Sequence, residues 1–224
     1  MPYIDIHTHW PAGAPDTLEI ENIYYKQTAG GSTPYFSAGL HPWYLQGVDL
    51  QDAENWLSYQ ASSPYCVAIG EAGLDKITQT PWYLQLAAFG ICIRIAAETE
   101  KPLVIHCVRA YGEILQMLHH PSTPAGRIRG VVFHGFNKNL QTARMLLDAG
   151  HFLSFGAALL QEKSRAAEVL QQTPAARLFL ETDDQNLDIK AVYARAAEIR
   201  GWPEERLREQ EAENFRALFG EVPV

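Results

Sequence analysis

Short apolar runs alternate with segments of helical period along nearly the whole chain, and that alternation leaves few architectures open. Strands are expected at residues 3–9, 18–26 (a weaker, glutamate-interrupted pattern), 35–41, 66–73, 103–108, 128–136, 152–157 and 178–183. Helices are expected at 49–61 with Asp49 as N-cap, from Thr80-Pro81 to Lys101-Pro102, and at 110–119, 140–149, 165–172, 189–200 and 204–219. The long helix takes Pro81 as its first residue and Leu84, Ala88, Ile91 and Ile95 as its inner face, and Gly150 closes the helix before it. Eight strands mostly interleaved with helices fit either a closed barrel or an open doubly wound sheet. No GxGxxG follows the first strand and no GxxxxGK[ST] occurs, so the nucleotide-fold fingerprints are absent. The count favours an α/β fold of the (β/α)8 TIM-barrel type, a single domain over 1–224. Residues 27–34 are too short and too rich in Gly and Ser to supply a helix between the second and third strands.

Charge narrows the partners. Eighteen Lys and Arg against 26 Asp and Glu give a net charge of −8, with the signs interspersed, which argues against a broad electrostatic grip on duplex nucleic acid. The first ten residues lack a basic start and an apolar core, and no apolar run is long enough to span a bilayer. A cytoplasmic protein with no membrane association and no obligate protein partner is expected. Cys66, Cys92 and Cys107 are odd in number and form no CxxC, as expected of reduced core residues.

In such a barrel the chemistry is built at the carboxyl ends of the strands. Six strands end in residues that can ligate or move protons: His7 and His9, which share a face by the alternation of a strand, then His41, Glu71, His106, His134 and Asp183. A lone histidine at a strand end is usually satisfied within the core. Here several imidazoles and carboxylates fall on one rim, where each is costly to bury without a partner, and a divalent cation is the simplest common partner. Imidazole with carboxylate suits Zn, Mn, Fe or Ni better than Ca or Mg, but the sequence does not distinguish among Zn, Mn, Mg, Fe and Ni.

The series His7-Thr8-His9, Gly39-Leu40-His41-Pro42, Gly70-Glu71-Ala72-Gly73-Leu74-Asp75, Ile105-His106, Phe133-His134-Gly135-Phe136 and Glu181-Thr182-Asp183 resembles the TatD-like metal-dependent hydrolases, in order, from residue 3 to about 219. The resemblance implies a (β/α)8 barrel and two divalent metal ions. His7, His9 and Asp183 would hold one ion, His106 and His134 the second, and Glu71 would bridge them. It gives catalytic roles to Glu71, Asp183 and His41, and places His41, Arg109 and Asp75 near the substrate or behind the ligands. Glu181 would orient a ligating histidine or form a buried salt bridge. Three departures from the family pattern stand out. The usual H-x-R-[DE]-A reads His106-Cys107-Val108-Arg109-Ala110, E-T-D-[AS]-P reads Glu181-Thr182-Asp183-Asp184-Gln185, and the first crossover helix is missing.

The expected reaction is hydrolysis of a phosphodiester by water activated between two ions, acting on nucleic-acid ends or small phosphoesters, most simply as an end-acting deoxyribonuclease. Trp10, Trp43 and Tyr44 flank the expected mouth and offer faces for an unpaired base. The main alternative is a dinuclear amidohydrolase or lactonase acting on a small molecule. Many such enzymes bridge their metals with a carboxylated lysine, whereas here Glu71 holds that position. A non-catalytic binding protein would be marked by lost ligands, and all six are present.

Overall fold

The computed structural model describes residues 1–121 and 124–221, so residues 122–123 and 222–224 of the expected domain lie outside it. Eight strands follow one another through one sheet in chain order: β1 Tyr3–Thr8, β2 Thr17–Tyr24, β3 Tyr35–Gly39, β4 Cys66–Asp75, β5 Leu103–Val108, β6 Val131–Phe133, β7 Phe152–Phe155 and β8 Leu178–Leu180. Seven α-helices accompany them: α1 Leu50–Ala61, α2 Trp82–Glu98, α3 Tyr111–His119, α4 Leu140–Asp148, α5 Arg165–Gln172, α6 Ile189–Arg200 and α7 Glu204–Phe219. A parallel bridge between Thr8 and Asp183 brings the last strand back to the first. This is the (β/α)8 barrel expected from the alternation. Neither residues 9–16 nor residues 25–34 carry a helix, so two of the connections are bare loops. Among the described residues no helix is long and apolar enough to cross a membrane.

The chain divides into two compact units. The first comprises Met1–Glu21, Gly31–Pro34 and Val132–Glu221. Here β1 lies parallel to the start of β2, with Tyr3 opposite Thr17. The buried Tyr193 of α6 clasps β1: its hydroxyl accepts from the Ile4 amide at 3.1 Å and donates to the Ile4 carbonyl at 3.2 Å. Helix α7 is fastened to β8 by Asn214, which donates to the carbonyls of Ala175 and Leu178 at 2.8 and 2.9 Å. Phe152, Phe179, Phe219 and Phe215 then run as a chain of ring contacts from β7 through β8 to α7. Burying rings of this size supplies much of a core's hydrophobic stabilisation.

The second unit comprises Asn22–Gly30 and Tyr35–Val131. Its centre is β4, whose ten residues are all buried. Such a strand reads as a continuous apolar run because both of its faces are covered. Helix α1 starts where expected, the Asp49 carboxylate accepting from the amides of Gln51 and Asp52 at 2.8 and 3.1 Å. Lys101 closes the other end, its ammonium donating to the carbonyls of Ala61, Ser63 and Cys66. In α2 two expectations shift. Pro81 is the extended N-cap rather than the first helical residue, and the buried positions include Gln85, Ala88, Phe89, Cys92 and Ile95, while Leu84 and Ile91 are only half-buried. The face turns because Gln85 is tied to the end of β4. It accepts from the Asp75 amide at 2.8 Å and donates to the carbonyls of Asp75 and Thr80.

The expected strands at 128–136 and 178–183 are shorter than the sequence pattern suggests. Ile128 is drawn into a turn by its bond to Ala125, and Gly135 takes a left-handed φ of 56°. At the other strand the Thr182 amide and hydroxyl bond the Asp5 side chain instead of a ladder.

Candidate metal centres

In the first unit the group is assembled by β1 and by the segment leaving β8. Alternation puts Asp5 and His7 on one face of β1, and His9 follows directly past its end. The Asp183 amide donates to the His7 carbonyl at 2.9 Å, and the His9 amide donates to the Asp183 carbonyl at 3.0 Å. Asp183 adopts a left-handed backbone, φ 58°, a conformation that costs a non-glycine residue about 1 to 3 kcal/mol and clusters at functional sites. The result sets its carboxylate beside both histidines, Oδ1 standing 3.5 Å from His7 Nε2 and 3.5 Å from His9 Nε2. Burial would raise this carboxyl's pKa. The bonds to His7 and His9, with the charges of His134 and His7, outweigh it and hold Asp183 well below the usual carboxylate range.

His134, just past β6, packs its ring 4.4 Å from that of His7. Its Nδ1 lies 3.6 Å from Glu181 Oε1, which also accepts from the Gly135 amide at 2.5 Å. His134, Glu181 and Asp183 each offer a ligand atom within 4.8 Å of the others. Glu181 Oε2 is buried with no hydrogen-bond partner among the described residues, a costly condition that a cation would relieve. Of the two roles expected for Glu181, its place against His134 fits that of an orienting group. Behind His7, the buried Asp5 accepts from Thr182 Oγ1 at 2.6 Å and from the amides of Thr182 and His7. Burial pushes its pKa up to about 7 against the effect of those bonds.

The second unit supplies His41, Glu71 and His106, whose ligand atoms also lie within 4.8 Å of one another. The glycines of the Gly70–Gly73 motif have a steric purpose. A Cβ on Gly39 would collide with the Glu71 carbonyl, and one on Gly73, where φ is 152°, with the His106 carbonyl. Only bare backbone lets β3, β4 and β5 approach this closely. Between Ile69 and Ala72 the pairing of β4 with β5 slips, the signature of a bulge, and Glu71 projects from it. The Gly70–Glu71 peptide is cis. Residues of β2 that the sequence did not single out hold this bulge: Asn22 Oδ1 accepts from the Glu71 amide at 2.6 Å and from Ser37 Oγ at 3.0 Å, and the Tyr24 hydroxyl donates to Glu71 Oε2 at 3.2 Å.

The Glu71 carboxylate meets His106 Nδ1 at 2.7 Å and His41 Nε2 at 3.1 Å. Asp75, fully buried, has its carboxylate taken up by the Trp43 indole N–H at 2.6 Å, the Ile77 amide at 2.8 Å and His106 Nε2 at 3.2 Å. Burial works to raise the Asp75 carboxyl, but these donors and the His106 charge bring it below its ordinary value. An ionised Asp75 makes His106 Nε2 the donor, which turns the Nδ1 lone pair toward Glu71 Oε1. Two acceptors 2.7 Å apart require a proton or a cation between them. Asp75 therefore supports His106 from behind. The Trp43 amide donates to His41 Nδ1 at 3.1 Å, which assigns the His41 ring proton to Nε2, facing Glu71.

Thus His7, His9, His134 and Asp183 stand together in the first unit, and His41, Glu71, Asp75 and His106 in the second. Both sets join imidazole nitrogens to carboxylates, the chemistry that divalent transition metals take, and the close His106–Glu71 contact and the unpartnered Glu181 Oε2 fit bound cations. Arg109 follows β5 directly, exposed, with a left-handed φ of 57° and no ion pair among the described residues. Cys66 and Cys92 are free and buried, their thiols pushed up by burial to about 11 and about 12, and Cys107 is half-buried.

Comparison with known proteins agrees with this geometry. The family model described as TatD related DNase matches residues 15–220. A protein of Klebsiella pneumoniae (strain 342) named 3'-5' ssDNA/RNA exonuclease TatD is 31% identical over 206 residues, covering 80% of this chain and 77% of its own. An Escherichia coli (strain K12) protein named uncharacterized metal-dependent hydrolase YcfH is 30% identical over 199 residues, covering 82% of this chain and 73% of its own. Among solved structures, YjjV, a TatD homologue from Escherichia coli K12, superposes with a TM-score of 0.82 at 22% identity over 98% of both chains, which establishes the shared fold. The chain belongs to the TatD related DNase family.

Proposed function

We propose that this protein is a divalent-metal-dependent phosphodiesterase that trims single-stranded DNA or RNA from an end. The observation that carries the reading is the gathering of imidazoles and carboxylates whose ligand atoms lie close enough together to grip a cation. His7, His9, Glu71, His106, His134 and Asp183 would hold the divalent ions. Bound divalent ions lower the pKa of water toward neutrality and offset charge on phosphoryl oxygens. The protein's own part is orientation. His41, with its proton on Nε2, keeps the Glu71 carboxylate in place, Asp75 does the same for His106, and Glu181 for His134. Arg109 is free to contact a phosphate of the incoming strand. The name of the Klebsiella relative supports an end-acting enzyme on single strands. So does the net charge of −8, since a duplex track demands many Lys and Arg contacts.

The test is a panel of 3'- and 5'-labelled single-stranded oligonucleotides, the matching duplexes, an aryl phosphodiester and a lactone, run with metal-loaded enzyme. Stepwise loss from one end of the single strand is expected, slower on duplex and reduced more than about a hundredfold in Glu71→Gln. Turnover of the lactone alone, or internal cutting of duplexes at an equal rate, would overturn the proposal.

A further inference from the structure

Two large aromatic side chains stand half-exposed on consecutive residues beside the His41–Glu71–His106 group: Trp43 at 51% and Tyr44 at 52% of full exposure. They occupy the Pro42–Tyr44 turn, a single 3-10 turn rigidified by Pro42 at its start and capped by His41, whose Nδ1 accepts from the Trp43 amide. Trp43 is anchored by its polar edge. Its indole N–H donates to Asp75 at 2.6 Å, and its ring stands edge-on to His41 and His106 at 5.1 and 5.5 Å between centroids. Tyr44 leans on Tyr24 at 4.8 Å and on His41 at 5.3 Å, and Tyr24 in turn donates to Glu71. Each exposed ring is thus one side chain away from a group that faces the Glu71 carboxylate.

Core packing does not require these rings to remain half in water, and a rigid, edge-anchored aromatic with an exposed surface is the usual platform for a planar ligand. We infer that the Pro42–Tyr44 turn is a base-stacking subsite, in which Trp43 and Tyr44 receive an unpaired nucleobase adjoining the phosphodiester that is cut. This inference rests on the nuclease reading above. The occupant follows from charge and position together. An acidic protein gains little from long-range attraction to a polyanion, so the strand end needs a grip that ignores phosphate charge. Stacking supplies one that tolerates any base sequence. A duplex, whose bases are already stacked and paired, cannot offer a face to this turn, which gives the site its own reason to prefer single strands. The turn is also preformed, so little ordering opposes binding.

The experiment is a cycle between protein rings and substrate bases. Kinetics are measured for the wild type, Trp43→Ala, Trp43→Phe and Tyr44→Ala on a single-stranded oligodeoxynucleotide and on the same strand with abasic tetrahydrofuran units at its reacting end. Bound metal and thermal midpoint are recorded for each protein. On the ordinary strand Trp43→Ala and Tyr44→Ala should each raise KM about tenfold, with the loss falling on KM more than on kcat, and Trp43→Phe should recover most of it. On the abasic strand the wild type should show the same rise, and the alanine variants should add less than about twofold to it. If the alanine variants weaken both strands equally, or neither, the subsite is wrong and the nuclease reading stands. If metal-loaded wild type trims no oligonucleotide at all, the nuclease reading itself fails. Should Trp43→Ala lose metal through its contact with Asp75, Tyr44→Ala, which removes no hydrogen bond to a carboxylate, decides the matter.

Discussion

Glu211 lies on the inner side of α7, fully buried, with neither carboxyl oxygen bonded to any described residue. Burial raises its pKa well above the ordinary carboxylate value, so the folded protein keeps this proton to a higher pH than the unfolded chain does. The consequence for stability has a definite sign. An unfolded chain releases this proton near pH 4.3 while the folded one retains it, so stability falls as pH rises between the two values, by about 1.4 kcal/mol per pH unit. Glu211→Gln, which keeps the shape and cannot ionise, should gain on the wild type as pH rises from 4 toward 7, measured by urea unfolding across that range. A difference independent of pH would show that Glu211 titrates in the fold as it does in the unfolded chain. Arg109 gives a kinetic prediction. Arg109→Ala should raise KM for oligonucleotide more than it lowers kcat, and unchanged kinetics would remove it from the site. At this scale the sequence was legible where side chains alternate. The period that groups His7 with His9 holds in the fold, and it reaches Asp5 as well, a carboxylate the sequence reading passed over. Glu211 was not legible, because its helix is richly charged and only the tertiary packing shows which of its glutamates turns inward.

The strand β4 shows how element geometry can outrank composition. Its apolar run was readable, and so was Glu71, but the bulge from which Glu71 projects depends on the close backbone approaches at Gly39 and Gly73, which only the fold reveals. Gly73→Ala tests this directly. The added methyl meets the His106 carbonyl on β5, and the φ of 152° is one that alanine resists. The variant should lose at least about 3 kcal/mol of stability, as overpacking and backbone strain add, and retain fewer metal equivalents by elemental analysis. Wild-type stability and metal content would show that β5 yields more easily than its backbone contacts imply. Other element boundaries moved for comparable reasons. The strand β6 ends early before Gly135, which takes a left-handed conformation, and β8 ends early where Thr182 bonds Asp5 instead of a ladder. Sequence patterning rewards continued alternation and so extends both strands through the residues that carry the chemistry. The face of α2 turned because Gln85, which the apolar pattern does not mark, is used to hold the end of β4.

For the whole chain, the alternation left a closed barrel or an open sheet, and the count of eight with the absence of nucleotide-fold fingerprints was enough to favour the barrel. The division into two units was not legible, because it reflects contacts distant in sequence, whereas the gathering of imidazoles and carboxylates at strand ends was. That arrangement has a thermodynamic consequence. Each set gathers carboxylates and imidazoles that favour the fold most when a cation is present, so metal binding and folding are linked. At a free metal concentration one hundred times the dissociation constant, a single site adds about 2.7 kcal/mol to the unfolding free energy. For a chain of this length that amounts to roughly 5 to 10 °C in thermal midpoint per site. Zinc or manganese titrated into chelator-treated protein at pH 7.5 should therefore raise the midpoint by that order. Glu71→Gln and His7→Ala should each retain only part of the gain, and the double variant should lose nearly all of it. Lowering the pH toward 5 should erase the effect in the wild type, because protons then compete with metal for the imidazoles. A midpoint that ignores metal in the wild type, at concentrations that support turnover, would mean that the two sets are bonded networks satisfied among themselves, and that the catalytic ion is held elsewhere.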